Sequence, residues 1–585
     1  MTAAALLHSP LAAALFTALA AAGSPATQTT SNGAAHLAVP AGSACTQTSF
    51  RIRADHAAPL DADTGWAAAE GQAATVRVDQ PFRLRLEVEA GPAETTARYF
   101  ELQYRRNGGE WTDVQAGDFP YPFNATPPVS TVSTPAYGNG AATGDLLGGS
   151  TAPFGGGAGV ALDTLAPAWR GNGVHGEWEW ALVVRAFADG AVQHADGDRF
   201  EFRMVDEKGC LATPAEPAAV TLEVPAGHIG GTFIETPGPI GPWQASNGDL
   251  YFMIEPAETF NVLMMLKSVN GGRSWREVDA ANRPRTDDLE GFASTVHAGV
   301  VHMLHQTSDD VWHHAFRTSD VAGAPDTWVV RDERLASPVE PPTQVAAIAA
   351  RGDGSLVAVY GQDAALELNL RSASGAWGTP QPIGHPGAGV VSGPMLATGT
   401  DDVVHLAYTV DGSAWYRQLD ADGLLGEARE LATGLPRGSD DAVGAILPLA
   451  WLPERHELVV VYRMADGTLW SRKVGSDGRF GTPAQVSTRR VVQGAIDSDQ
   501  AGADAAVVGD VVRVLFIEQS TGSVYQVTRR ADGGWEPEQR LHGDVQAQWV
   551  RGRPVRRADG SVVYGYVFDA GSDGGSGFNR YDEAE

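Results

Sequence analysis

The chain has 585 residues and a formal charge of −29, from 42 Lys and Arg against 71 Asp and Glu. That length predicts at least two packed units, and 15 Trp with 43% apolar residues exclude global disorder. The acidic balance excludes a phosphate-backbone binder, which needs a basic stripe, and docking on an anionic bilayer surface. With 69 Gly and 35 Pro, the composition reads as a turn-rich, all-β protein.

Residues 1–22 contain the apolar run Leu11–Ala22, followed by Gly23-Ser24-Pro25. The run is too short to span a bilayer, and small residues stand where a signal peptidase would cut. Residues 1–22 are therefore read as a signal peptide, 23–44 as a flexible lead-in, and the protein as secreted, extracellular or periplasmic. No later stretch reaches membrane-spanning length. The two cysteines, Cys45 and Cys210, bracket one segment. In an exported chain such a pair is expected to form one disulfide that closes a domain.

Residues 45–225 alternate with period two, as in Phe82-Arg-Leu-Arg-Leu-Glu-Val88, Tyr99–Tyr104, Trp178–Arg185 and Phe200–Val205. Such alternation builds antiparallel sheets with one wet face, and several strands of this kind predict an immunoglobulin-like β-sandwich. The Gly/Thr/Pro-rich stretch Asp118–Gly159 reads as an insertion loop.

From residue 227 the sequence repeats. Asp411-Gly-Ser-Ala-Trp415-Tyr-Arg417 and Asp466-Gly-Thr-Leu-Trp470-Ser-Arg472 lie in register 55 positions apart, and Thr521-Gly-Ser-Val-Tyr525 follows after another 55. Further copies begin near 259, 308, 363 and 569, a period of about 52 residues. Each follows a β-run, such as Val300–His305, Leu356–Tyr360, Val403–Tyr408 or Leu458–Tyr462, and each β-run follows a small-residue run such as Val345–Ala350. Four strands per repeat predict a seven-bladed β-propeller over 227–585. The last copy has only three strands, so an N-terminal outer strand, taken as Gly231–Glu235, is expected to complete it and close the ring.

Ser268-Val-Asn270-Gly-Gly272-Arg-Ser274-Trp275 matches the Asp-box pattern Ser-x-Asp/Asn-x-Gly-x-Ser/Thr-Trp. On this motif the domain resembles the sialidase-like (BNR/Asp-box repeat) propeller superfamily. Asn270 is expected to cap a hairpin while Trp275 packs beneath it. The resemblance does not extend to sialidase chemistry: Ile234–Pro242, where the first arginine of the substrate clamp would fall, has none. Seven-bladed relatives of this kind include lyases of uronate polymers and sugar-binding lectins.

A lyase needs a cation to neutralise the uronate carboxylate, and a Tyr or His to move the C5 proton. Second-strand ends, and inner-strand entries with Asp287, Asp288, Glu290, Asp440 and Asp441, are expected to line the propeller mouth, so His305, Tyr360, Tyr408, Arg463 and Arg551 are the candidate catalytic set. Tyr462, Asp499, Gln500, Gln548 and Trp549 are the candidate substrate contacts. The run His297, His302, His305, His313 and His314 suggests a metal cluster, but strand alternation sends neighbours to opposite faces, and no metal site is expected there. Asp497, Asp499 and Asp504 are compatible with a structural calcium ion, and no other cofactor is expected. The reading is a secreted, monomeric carbohydrate-active protein that cleaves a polysaccharide, with a glycan-binding or protein-interaction propeller as alternatives. Pockets between blades floored by Trp415, Trp470 or Tyr525 would favour the lectin. One cleft joining His305, Tyr408 and Arg463 or Arg551 would favour the enzyme.

Overall fold

A computed structural model describes residues 45–585 apart from 56–57, 118–126, 189–191, 212–213, 215, 231–237, 255–262, 280–281, 285–290, 308, 340–344, 386–388, 438–446, 493–501, 544 and 571–577. The proposed signal peptide and lead-in lie outside the described residues, and among those residues no helix is long and apolar enough to cross a membrane.

The N-terminal part is a sandwich of two sheets. One contains Cys45–Ala54, Phe82–Ala90 and His175–Val184; the other contains Phe100–Arg106, Arg199–Asp206 and Ala218–Glu223. Their facing positions, among them Leu84, Leu86, Trp178, Trp180, Phe100, Phe200 and Phe202, form one apolar core. Cys45 and Cys210 are bonded with Cα atoms 5.1 Å apart, tying the first strand to the segment after Asp206.

The outer face of the first sheet departs from the expected wet surface. Arg53, Arg83, Arg85, Glu87, Glu177 and Glu179 occupy its polar positions, and all are fully buried. The cover comes from residues 58–66 and from the stretch read as an insertion loop. That stretch adds two strands to the sheet: Val129–Thr131, antiparallel to His175–Val184, and Phe154–Val160, parallel to it. The buried charges are matched within the layer. Glu179 accepts from Arg53 at 2.8 Å and from Arg83 and Arg85 at 3.0 Å. Arg85 also donates to the carbonyls of Leu60 and Gly144 at 2.7 Å, and Glu177 accepts the N–H groups of Leu146 and Leu147 at 2.8 Å. Isolated ions could not be buried here; a closed network of opposite charges and carbonyls can.

The C-terminal part consists, among the described residues, of seven four-stranded antiparallel sheets. These are the blades, with innermost strands Trp243–Gln244, Gly291–His297, Ala346–Ala350, Val391–Thr398, Leu449–Leu452, Ala503–Val508 and Val550–Arg556 in blades one to seven. Blade seven takes its outer strand from the N-terminal side: His228–Gly230 pairs with Phe578–Ala584. The described part of the closure strand, residues 228–230, directly precedes the expected Gly231–Glu235, and residues 231–235 lie outside the described residues.

The Asp-box of blade one buttresses this seam. Asn270 Oδ1 accepts the Ser274 N–H at 3.0 Å, Ser268 Oγ accepts the Gly272 N–H at 2.9 Å, and Trp275 Nε1 donates to the Gly272 carbonyl at 3.0 Å. The folded loop presses Gly272 and Trp275 against Tyr581 of blade seven, while the Arg273 carbonyl accepts the Gly227 N–H at 3.0 Å. One residue on, His228 pairs with Asp79 of the sandwich at 2.7 Å.

Two stability predictions follow from these contacts. Replacing Glu179 by Gln leaves three buried guanidiniums without their shared anion, and urea unfolding is expected to show a loss of about 3–5 kcal/mol. A loss below about 1 kcal/mol would mean that the carbonyl cage alone holds the arginines. At Gly272 the backbone has φ +79° and an added Cβ would lie 2.0 Å from the Tyr581 ring, whereas at Gly271, with φ +69°, it would meet open space. Gly272→Ala is therefore expected to cost roughly 2 kcal/mol or more, and clearly more than Gly271→Ala. Equal costs would remove the Asp-box from the closure.

Candidate functional site

The second strand of each blade rises towards the loops that join one blade to the next, and its last residues pack back on the preceding blade. His305, Tyr360, Tyr408 and Tyr462 all sit at such ends and are buried. Tyr360 clusters with blade-two residues, Tyr408 with blade three and Tyr462 with blade four. The Tyr360 hydroxyl donates to Glu367 at 3.1 Å, and burial with that carboxylate raises its pKa. Burial likewise raises the Tyr408 pKa, with Arg417 beside it as a smaller, opposing influence.

The two candidate arginines are bonded to backbone. Arg463 Nε donates to the Val491 carbonyl at 2.7 Å. Arg551 donates to the carbonyls of Gly238 at 2.9 Å and Ala503 at 3.1 Å, clasping innermost strands together, and complete burial brings its pKa down to about 10. Trp549 is buried and Gln548 half-buried, their N–H groups both held by Asp569. His305, Tyr360, Tyr408, Arg463 and Arg551 thus stand in five different blades. Asp499 and Gln500 lie outside the described residues, as do Asp287, Asp288, Glu290, Asp440, Asp441 and Asp497. Asp504 is bonded to the Gly552 N–H at 2.8 Å and to Arg553 at 3.4 Å.

The histidine run divides between the two sheet faces. His302 and His313 share one face with Nδ1 and Nε2 3.2 Å apart, and His313 passes its other nitrogen to Glu333 at 2.7 Å. His314 lies on the opposite face and accepts the Asp332 N–H at 3.0 Å. The three potential metal ligands that do converge among the described residues are Glu87, His175 and Glu177 in the sandwich, within 4.8 Å. Their bonds run to Thr48, Ala152, Asp145, Arg85 and the 146–147 backbone, so they belong to the buried charge layer.

A concave site opens instead between blades four and five. A groove of about 430 Å³ is lined by Glu430–Thr433 of one outer strand and by Tyr462, Met464, Trp470, Arg472 and Pro483 of the next blade. Trp470 forms an aromatic wall, its Nε1 donating to Thr468 at 3.1 Å. Arg472 stands two residues along the same strand, hence on the same face. Its Nε donates to Gly481 at 2.8 Å and its Nη1 to the Leu431 carbonyl, stapling the blades. Arg417 repeats this with Gly426 at 2.7 Å and Gly384 at 2.8 Å. Glu430 is exposed, and its carboxylate makes no hydrogen bond or ion pair among the described residues. One blade earlier its register position is Pro382, paired with Glu367 as Glu430 is paired with Trp415. Sequence reading singled out Trp470 and Tyr462 but missed Glu430, Thr433, Met464 and Pro483. The repeated Trp-x-Arg at 415–417 and 470–472 was the available signal for a polar side to the groove.

No protein-family model and no curated protein matches the sequence. Solved structures do resemble the fold. NanB sialidase from Streptococcus pneumoniae is 9% identical over 93% of both chains, with a TM-score of 0.36. Aleuria aurantia lectin in complex with alpha-methyl-L-fucoside is 14% identical over 54% of this chain and 97% of that one, at 0.34. Polysaccharide lyase Uly1 is 9% identical over 59% and 88%, at 0.35. At such identities and scores these likenesses say nothing about chemistry in this chain.

Burial sets a pH dependence on the propeller. It lowers the pKa of His302 to about 3 and that of His405 to about 4, from an ordinary 6.5. The folded rings stay neutral where the unfolded rings take up protons, so this stability is present above pH 6.5 and lost as pH falls towards those values. Thermal unfolding from pH 7 to 4 is expected to show a falling midpoint, with a shallower fall in His302→Gln. An unchanged slope in that variant would contradict the assignment.

Proposed function

We propose that this chain is a secreted glycan-binding propeller whose ligand lies in the groove between blades four and five. The observation that carries the reading is the groove itself: Trp470 and Tyr462 beside an unpaired Glu430 carboxylate and the Arg472 guanidinium, in about 430 Å³. An aromatic face covers the C–H face of a pyranose, while a carboxylate and a guanidinium take hydroxyl hydrogen bonds, the apolar-plus-few-polar lining that small-molecule sites use. The equivalent position carries Pro382 in blade three, Gln485 in blade five and Arg540 in blade six, so one strong site per chain is expected. Export is supported by the Cys45–Cys210 bond. Cleavage has less support: a lyase needs base and neutralising cation at one substrate, whereas Tyr408 and Arg551 are buried and both Arg463 and Arg551 donate to backbone carbonyls.

A glycan array followed by titration calorimetry tests this. Binding of one glycan per chain is expected, weakened tenfold or more in Trp470→Ala and in Glu430→Gln. The second variant changes only an exposed side chain, so its thermal midpoint is expected to stay put. Binding untouched by both, or new ultraviolet absorbance from unsaturated uronate products, would overturn the reading.

A further inference from the structure

A second cleft lies at the closure seam, on the opposite face of the propeller. It holds about 780 Å³ between the first turn of blade one (Gln244–Asp249), the Asp-box loop and the first turn of blade seven (Val555–Ala558). The two turns are locked: Gln244 accepts the Arg556 N–H at 2.8 Å and donates to the Arg556 carbonyl at 2.9 Å. The walls are therefore fixed before any ligand arrives.

The charge balance of this cleft opposes that of the whole chain. Of its two acids, Asp249 is paired with Lys267 at 3.0 Å, and Glu583 with Arg557 at 2.6 Å. The two remaining cations are not matched. Arg273 makes no side-chain hydrogen bond or ion pair among the described residues, and Arg556 spends one nitrogen on the Gly560 carbonyl at 3.1 Å. Between them the backbone is bare: a Cβ added at Gly248 or Gly271 would meet no atom within 4 Å. Two exposed guanidiniums in the lining, flanked by Ser246, Asn247 and exposed backbone, suit carboxylate or sulfate oxyanions accompanied by hydroxyl groups.

We propose that this seam cleft binds a carboxylate- or sulfate-bearing oligosaccharide, with Arg273 and Arg556 taking its anionic groups from blades one and seven. The site stands independently of the groove at Trp470. A ligand bridging the two blades also stabilises the closed ring, because it binds only the folded seam.

Three probes of equal length decide the matter by calorimetry and thermal unfolding: an oligogalacturonate, a sulfated oligosaccharide and a neutral oligosaccharide. One or both acidic probes are expected to bind, to raise the unfolding midpoint and to weaken steeply with added salt. The responding probe identifies the anion. Affinity is expected to fall at least tenfold in Arg273→Gln with Arg556→Gln, and to persist in Trp470→Ala, which separates this site from the groove. Inorganic sulfate is expected to compete on the unsubstituted protein, a readout that does not depend on the double variant folding. Equal affinity for the neutral probe, no binding of either acidic probe, or unchanged affinity in the double variant would overturn the proposal.

Discussion

The fold depends on satisfying one row of backbone groups. A propeller made of six complete blades and a three-stranded seventh would leave an open edge on Phe578–Ala584, and an unpaired edge recruits whatever strand it meets. His228–Gly230 fills that edge. Much else is arranged around this strand. The Asp-box wedges Gly272 and Trp275 against Tyr581, the Arg273 carbonyl holds Gly227, and Asp79 anchors His228. Within the described residues, His228 pairs with Arg580 and Gly230 with Asn579. Here they are fixed on both sides by neighbours that are themselves closely packed.

The sandwich solves a different problem. Its first sheet is covered on both faces, one by apolar residues and the other by a polar layer of arginines and carboxylates. Such a layer is intolerant of partial assembly, since each guanidinium is costly without its anion. It fixes the path of the covering segments more sharply than apolar contacts would, because the carbonyls of Ala58, Leu60, Ala62 and Gly144 must each reach a particular nitrogen.

The repeat was legible because it is written in local chemistry. Asp-Gly turns, Trp at a fixed place and period-two runs specify a blade without reference to any other blade, and the small residues of Val345–Ala350 specify the crowded inner strand. The alternation of Phe82–Val88 was equally legible. What covers its polar face was not, because the cover is irregular and lies far away in sequence. Burial at strand ends was also hidden: Tyr408 reads the same whether its ring packs on a neighbouring blade or faces solvent. The groove between blades four and five needs the position of Glu430 against Trp470, two residues in adjacent blades whose strands are separated by two others in sequence. Residues 228–230 of the closure strand were not read from the sequence, since nothing in His-Ile-Gly marks it as a strand apart from the partner it finds.

Pairing residues 228–230 with 578–584 also orders events in time. A ribosome makes the sandwich, the linker and six blades before the partner strand exists. Throughout that interval His228–Gly230 has no ladder to join, and blade one faces a gap instead of a neighbour. The nascent chain must therefore be kept from pairing with other chains until Phe578–Ala584 has emerged. The Asp79–His228 pair acquires a purpose in this light: it parks the waiting strand against an already folded sandwich, so that closure is a short-range docking and not a search.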